Sequence, residues 1–171
     1  MTHKGIEIEY KYLIEYPDIG QLMQQPGCRI AHIRQTYLLS ENEDTVRVRS
    51  WAEGQEARYY HTLKHRLTDQ SNVENEMEID LDTYTQLLSL ADPSRKTIEK
   101  TRYIIPHDKH FLEIDIYPFW SHQAILEIET EHENEMVLIP AYLHILRDVT
   151  ADFRYKNRSL AKDHDFVDDS L

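Results

Sequence analysis

The sequence has one cysteine, Cys28, so no internal disulfide framework can staple the fold, and a reducing compartment is expected. Cys28 reads as a small buried hydrophobe. Four glycines and six prolines leave no stretch that resembles a flexible linker, which favours one domain. Positive charge is scarce: 19 Lys and Arg stand against 31 Asp and Glu, a formal net charge of −12. A general nucleic-acid or membrane-surface binder needs basic excess to meet phosphate, so both classes are excluded as expectations. No apolar run is long enough to span a bilayer, and Met1 to Lys4 lead into an alternating segment rather than an apolar leader. A cytoplasmic location is therefore expected.

What the chain has in quantity is period-two alternation, with 40% apolar and 29% charged residues sharing the strands. In the first such segment Ile6, Ile8, Tyr10 and Tyr12 share one face, while Glu7, Glu9 and Lys11 share the other. Further strands are predicted over 29–39, 44–51, 57–66, 73–81, 96–105, 110–117 and 124–131. Short helices are predicted over 19–25 and 83–90, the latter capped by Asp82, and again over 140–149 and 154–162. One domain over 1–162 is expected, followed by a solvated acidic tail over 163–171.

Charges recur on these strands as acid-x-acid pairs, Glu7/Glu9, Glu76/Glu78, Glu113/Asp115 and Glu127/Glu129, and as base-x-base pairs, Arg47/Arg49 and Lys100/Arg102. One charged face per strand is what the wet side of any antiparallel sheet shows, and for a single strand that reading suffices. Same-sign neighbours at i and i+2 on strand after strand repel, however, and ask for a counter-ion. If the charged faces line a closed barrel, the interior gathers both a carboxylate set and a basic set. Buried charge is costly unless paired or metal-bound, so such a barrel would be kept for a ligand. Carboxylates suit Mg²⁺ or Mn²⁺, and Arg and Lys suit phosphate oxygens.

Glu7-x-Glu9-x-Lys11 resembles the signature of the CYTH, or triphosphate tunnel metalloenzyme, superfamily, which includes inorganic triphosphatases, thiamine triphosphatases and class IV adenylate cyclases. The similarity continues in order through Gln35-Thr36-Tyr37-Leu38, Arg47-Val48-Arg49, Lys64, Glu76-Met77-Glu78, Lys100-Thr101-Arg102, Glu113-Ile114-Asp115 and Glu127-Ile128-Glu129. Asp152 to Asn157, with Leu160-Ala161, is similar to the C-terminal helix of short bacterial members. The resemblance implies an α+β, mainly β fold: an eight-stranded antiparallel barrel with helices outside. It also implies Mg²⁺ or Mn²⁺ dependence and a small-molecule triphosphate as substrate.

Carried over by position, Glu7, Glu9, Glu76, Asp115, Glu127 and Glu129 are the implied metal ligands. Lys11, Arg47, Arg49, Lys64, Lys100 and Arg102 are the implied phosphate clamp, with Lys11 and Glu78 as catalytic groups and Glu78 orienting water. The leading expectation is hydrolysis of inorganic tripolyphosphate by in-line water attack on the terminal phosphate. Adenylate cyclase, thiamine or nucleoside triphosphatase, and a non-catalytic polyphosphate- or nucleotide-binding module are the alternatives. A monomer or homodimer is expected. His61 and His65 lie too far apart along one strand for a compact metal site. Trp51, Tyr59 and Tyr60 fit either a stacking platform or ordinary strand composition, and Arg154 and Lys156 either a tunnel closure or a helix surface.

Overall fold

A computed structural model describes residues 2–42 and 44–163; the expected acidic tail, apart from Asp163, lies outside the described residues. The chain runs β1 (Thr2–Glu15), α1 (Ile19–Met23), β2 (Arg29–Tyr37), β3 (Thr45–Glu53), β4 (Glu56–Arg66), β5 (Ser71–Ile79), α2 (Leu81–Leu87), β6 (Ile98–His107), β7 (His110–Ile116), β8 (Gln123–Thr130), β9 (Ile145–Asp148) and α3 (Asn157–Leu160). The sheet order is β5-β4-β3-β2-β6-β7-β8-β1-β9, and a β5–β1 pairing closes eight of these strands into an antiparallel barrel, as expected.

Tight turns set the hairpins. Gly54, at φ 59, supplies the positive dihedral between β3 and β4, and Asp108, at φ 52, does the same between β6 and β7. Closure depends on the length of β1. Residues Thr2 to Ile8 pair with β5, and Ile8 to Glu15 pair with β8. Where β5 ends opposite Ile8, the free edge of β1 would leave backbone groups without partners; β9 takes that edge at Tyr12 to Ile14.

This pairing corrects the helix expected over 140–149. Ile145, Leu146, Arg147 and Asp148 can be written on a helix, but the vacant β1 edge offers them ladder bonds that a short isolated helix could not match. The helix expected over 154–162 is also shorter, a 3₁₀ turn at Phe153–Tyr155 followed by α3. The α2 cap is Asp80 rather than Asp82: its side chain accepts from Thr83 N at 2.7 Å.

Alternation divides the apolar residues between two places. Outside, Ile14, Tyr103, Ile105, Leu112, Ile114, Leu126 and Ile128 pack with Leu22 of α1 and with Leu143. Val48 and Leu38 pack beneath Tyr84 of α2. Inside, one end of the barrel is filled by Leu13, Tyr37, Ile98, Tyr117 and Ile125, together with Val149, Tyr155, Leu160 and Ala161 of the C-terminal segment. Each fully buried aliphatic side chain there contributes about 1.5–3 kcal/mol. Beyond this plug the inward face turns from apolar to charged.

Candidate active site

The charged inward face encloses a cavity of about 620 Å³. Glu7, Glu9 and Lys11 of β1 reach it from one wall, Arg47 and Arg49 of β3 and Lys64 of β4 from another, and Lys100, Arg102, Glu127 and Glu129 of β6 and β8 from a third. Alternation explains their convergence, since residues two apart on a strand share a face and register aligns the sets: Glu9 lies opposite Glu129, and Lys11 opposite Glu127. Phe153, Lys156 and Asn157 of the C-terminal segment complete the wall.

One side of this lining is internally satisfied. Glu127 accepts from Lys11 Nζ at 2.7 Å through Oε1, and from Arg102 NH2 at 2.5 Å through Oε2. Arg102 also donates to Asp115 through Nε at 2.7 Å and NH2 at 2.8 Å, and through NH1 to Glu113. Lys100 donates to Asp115, which is fully buried. Burial alone would raise the Glu127 carboxyl, but Lys11, Arg102 and Lys100 outweigh it and hold that group well below the usual carboxylate range. Burial and the adjacent Arg102 bring Lys100 down to about 8, against the pull of Asp115.

The basic wall is less committed. Arg49 donates to Glu76 at 2.9 Å, and its guanidinium lies 5.2 Å from the Trp51 ring centroid and 5.5 Å from that of Tyr60. Arg47 donates to Gln35 at 3.4 Å, and Lys64 bridges Glu7 at 2.5 Å and Glu74 at 2.8 Å. The Nε atoms of both arginines are buried without a hydrogen-bond partner. A buried N–H left unpaired costs free energy, so these two arginines are not fully satisfied by their protein partners.

The acidic rim shows the opposite imbalance. Glu9 and Glu129 face each other across the β1–β8 ladder, where like charges repel. Burial first and then Glu127 raise the Glu9 carboxyl to about 7. Glu129, although exposed, is raised by burial of its carboxyl and by Glu7 and Glu113. An all-oxygen donor set with surplus negative charge fits a hard divalent cation in kind. Among the described residues, no three His, Cys, Asp or Glu side chains converge closely enough to form a complete ligand set as they stand.

Of the residues singled out in the sequence, Glu7, Glu9, Lys11, Arg47, Arg49, Lys64, Glu76, Lys100, Arg102, Glu127 and Glu129 line the cavity together. Asp115 lies behind the wall, bonded to Lys100 and Arg102, and Glu78 is exposed and outside the lining. Glu76 is bonded to Arg49 and to Thr62 Oγ1, the latter at 2.8 Å. Glu113, expected on the charged inner face without an assigned role, lines the wall, and so does Glu74, which the sequence assignment left out; alternation with Glu76 was the signal available for Glu74. For Phe153 and Asn157 no local pattern points inward. Among the described residues, no helix is long and apolar enough to cross a membrane.

The geometry can be set beside known proteins. A solved structure of the inorganic triphosphatase NE1496 is 28% identical, with a TM-score of 0.56, and the match covers 91% of this chain and 94% of that one. The PH1819 protein from Pyrococcus horikoshii OT3, 19% identical over 75% of this chain and 80% of its own, shares the fold with a TM-score of 0.57. No curated protein matches. The CYTH domain model matches residues 5–139, which span β1 to β8 and every strand residue of the cavity wall. The chain belongs to the CYTH domain family.

Proposed function

We propose that the protein is a metal-dependent triphosphatase whose substrate is inorganic tripolyphosphate. The observation that carries this reading is one cavity lined on one side by Arg47 and Arg49, whose buried Nε atoms have no partner, and on another by Glu9, register partner of Glu129, whose carboxyl is raised by burial and by Glu127. A polyanion accompanied by a divalent cation satisfies both at once. The 28% identity to an inorganic triphosphatase supports the same class.

Arg47, Arg49, Lys64 and Lys100 neutralise the phosphate oxygens as a preorganised set. Lys11, anchored through one bond to Glu127, presents its remaining N–H donors to the chain. Glu7, Glu9 and Glu129 would hold the Mg²⁺ or Mn²⁺ whose Lewis acidity polarises the phosphoryl oxygens. Water attacks the terminal phosphorus in line, the bridging P–O bond breaks, and orthophosphate and diphosphate leave. Glu78, exposed and away from the cavity, has no part in this step.

Inorganic substrate is favoured because Trp51, an aromatic residue of the cavity wall, is already engaged by Arg49. One feature favours an organic triphosphate instead: Phe153 lines the cavity yet is 66% exposed, a free face for a base. The test is orthophosphate release from tripolyphosphate, ATP and thiamine triphosphate, each with Mg²⁺ and with Mn²⁺, with cyclic AMP assayed alongside. Fastest turnover of tripolyphosphate supports the proposal, turnover of ATP or thiamine triphosphate alone moves it to the Phe153 reading, and no turnover removes the enzyme assignment.

A further inference from the structure

The C-terminal segment touches the site through the backbone of β1 as well as through the cavity wall. β8 covers one edge of β1 without a break from Ile8 to Glu15. The other edge is shared by β5, which ends opposite Ile8, and β9, which begins opposite Tyr12. On that edge the Glu9 N–H donates to the Gln70 carbonyl at 3.1 Å, and the Glu15 N–H to the His144 carbonyl at 2.9 Å. Lys11 falls in the gap between the two strands, and its N–H goes to a side chain instead, Thr150 Oγ1 at 3.0 Å. The hydroxyl returns its own proton to the Lys11 carbonyl at 3.4 Å, and Val149 N donates to that carbonyl at 2.9 Å. Thr150 is itself fixed on both sides of its peptide, by Val149 buried in the plug and by its own N–H, which donates to Asp148 Oδ1 at 2.9 Å.

We infer that Thr150 is a positioning residue for Lys11: its hydroxyl stands in for the missing strand partner and fixes where the Lys11 ammonium enters the cavity. Thr150 lies beyond residues 5–139, the span of the CYTH domain match. The inference rests on the triphosphate reading above, in which Lys11 meets the phosphate chain. A hydroxyl accepts and donates at once, so one side chain meets both the N–H and the C=O of Lys11. Without it, the N–H loses its acceptor, and the peptide turns toward another partner or water. The ammonium, 2.7 Å from Glu127 and 3.9 Å from Glu9, moves with that peptide. A displacement on the order of 1 Å at a positioned group can cost on the order of 100-fold in rate.

The test compares Thr150→Val, which keeps the shape and loses the hydroxyl, with Thr150→Ser, which keeps the hydroxyl. Tripolyphosphate binding is measured by calorimetry in EDTA, and kcat and KM are measured with metal. In Thr150→Val the metal-free Kd weakens about fivefold and kcat/KM falls about 20-fold, while Thr150→Ser stays within about twofold of the parent in both. Once Lys11→Met has removed the ammonium, adding Thr150→Val changes Kd by less than about twofold, because nothing remains to be positioned. Tyr117→Phe is the control for loosening of the segment alone, since it breaks a different bond to that segment, at Asn157; its Kd stays within about threefold of the parent.

Parent-like Kd and kcat/KM in Thr150→Val overturn the inference, as do equal losses in Thr150→Val and Thr150→Ser, or a loss that persists in full beside Lys11→Met. If Thr150→Val fails to fold by circular dichroism, Thr150→Ala takes its place with the same expectations. A parent protein that neither binds nor hydrolyses tripolyphosphate removes the triphosphate reading and this inference together; a parent that does both, beside an unaffected Thr150→Val, removes only the inference.

Discussion

Two adjoining regions of the barrel interior are built by the same strands under the same alternation, and they make opposite choices. Two residues beyond Lys11 the inward face of β1 carries Leu13; two before Glu127, β8 carries Ile125; two before Lys100, β6 carries Ile98; and two beyond Asp115 the chain carries Tyr117. On one side of this boundary lies a packed apolar plug, and on the other a lining of charge in which some groups are satisfied and others are not. The plug is stabilising as it stands. The charged lining is stabilising only in part, because the Glu9 carboxyl is held against burial and Glu127 and the Arg47 and Arg49 Nε donors lack partners. Stability and binding are thus divided along the barrel axis, and substitutions on the two sides should have separable effects.

The largest separation is expected in activity. Glu9→Gln and Arg47→Gln should each lower kcat/KM for tripolyphosphate by about 100-fold or more, with the circular dichroism spectrum unchanged. Across the boundary, Leu13→Ala and Ile125→Ala should each cost about 2–4 kcal/mol in urea unfolding through the cavity they leave. Their KM values should stay close to that of the parent, since neither side chain lines the charged cavity. A plug variant that loses activity at full stability would erase the distinction.

Alternation made much of this arrangement legible. It identified the strands and their charged faces, and the order of charged pairs carried the family resemblance. What it could not supply is height and availability. Asp115 and Glu113 alternate on the same face, yet one lies wholly buried behind the wall and the other lines the cavity. Glu76 and Glu78 likewise share a face, but only Glu76 reaches the cavity, because the β1–β5 ladder ends at Thr2 opposite Met77 and Glu78 lies past it. The β9 strand was illegible for another reason: its conformation is set by the vacant edge of β1, a partner more than a hundred residues earlier in the chain. Phe153 and Asn157 belong to a C-terminal segment held by packing into the plug and by the Tyr117–Asn157 bond, contacts that also join residues far apart in the chain.

Burial of the Glu9 carboxyl beside Glu127 gives a pH signature. The Glu9 carboxyl has a reference value of 4.5 and about 7 in the fold. A raised acid pKa means that folding favours the protonated form, so in the metal-free protein this group does not oppose folding below the reference value and destabilises progressively as pH rises through about 7. Glu9→Gln removes that burden. In EDTA at about pH 8 the variant should be more stable than the parent by about 1–3 kcal/mol, on the order of 5 °C in Tm. The difference should vanish near about pH 4, where both side chains are neutral. Equal melting curves at the higher pH would show that Glu9 is not strained by its neighbours.

The smallest effect is expected where the two regions are joined. Tyr117 belongs to the plug, but its hydroxyl donates to Asn157 Oδ1 at 2.6 Å, and Asn157 lines the charged cavity. Tyr117→Phe keeps the ring contacts with Phe119 and Trp120 and removes only this bond, leaving a buried acceptor unmet. The cost should be about 1 kcal/mol, visible as a drop of a few degrees in Tm. Because Tyr155, Leu160 and Ala161 still pin the C-terminal segment from the plug side, KM for tripolyphosphate should rise by about threefold or less. A larger rise in KM with little change in Tm would mean that the Tyr117–Asn157 bond, rather than apolar packing, holds this segment at the cavity wall.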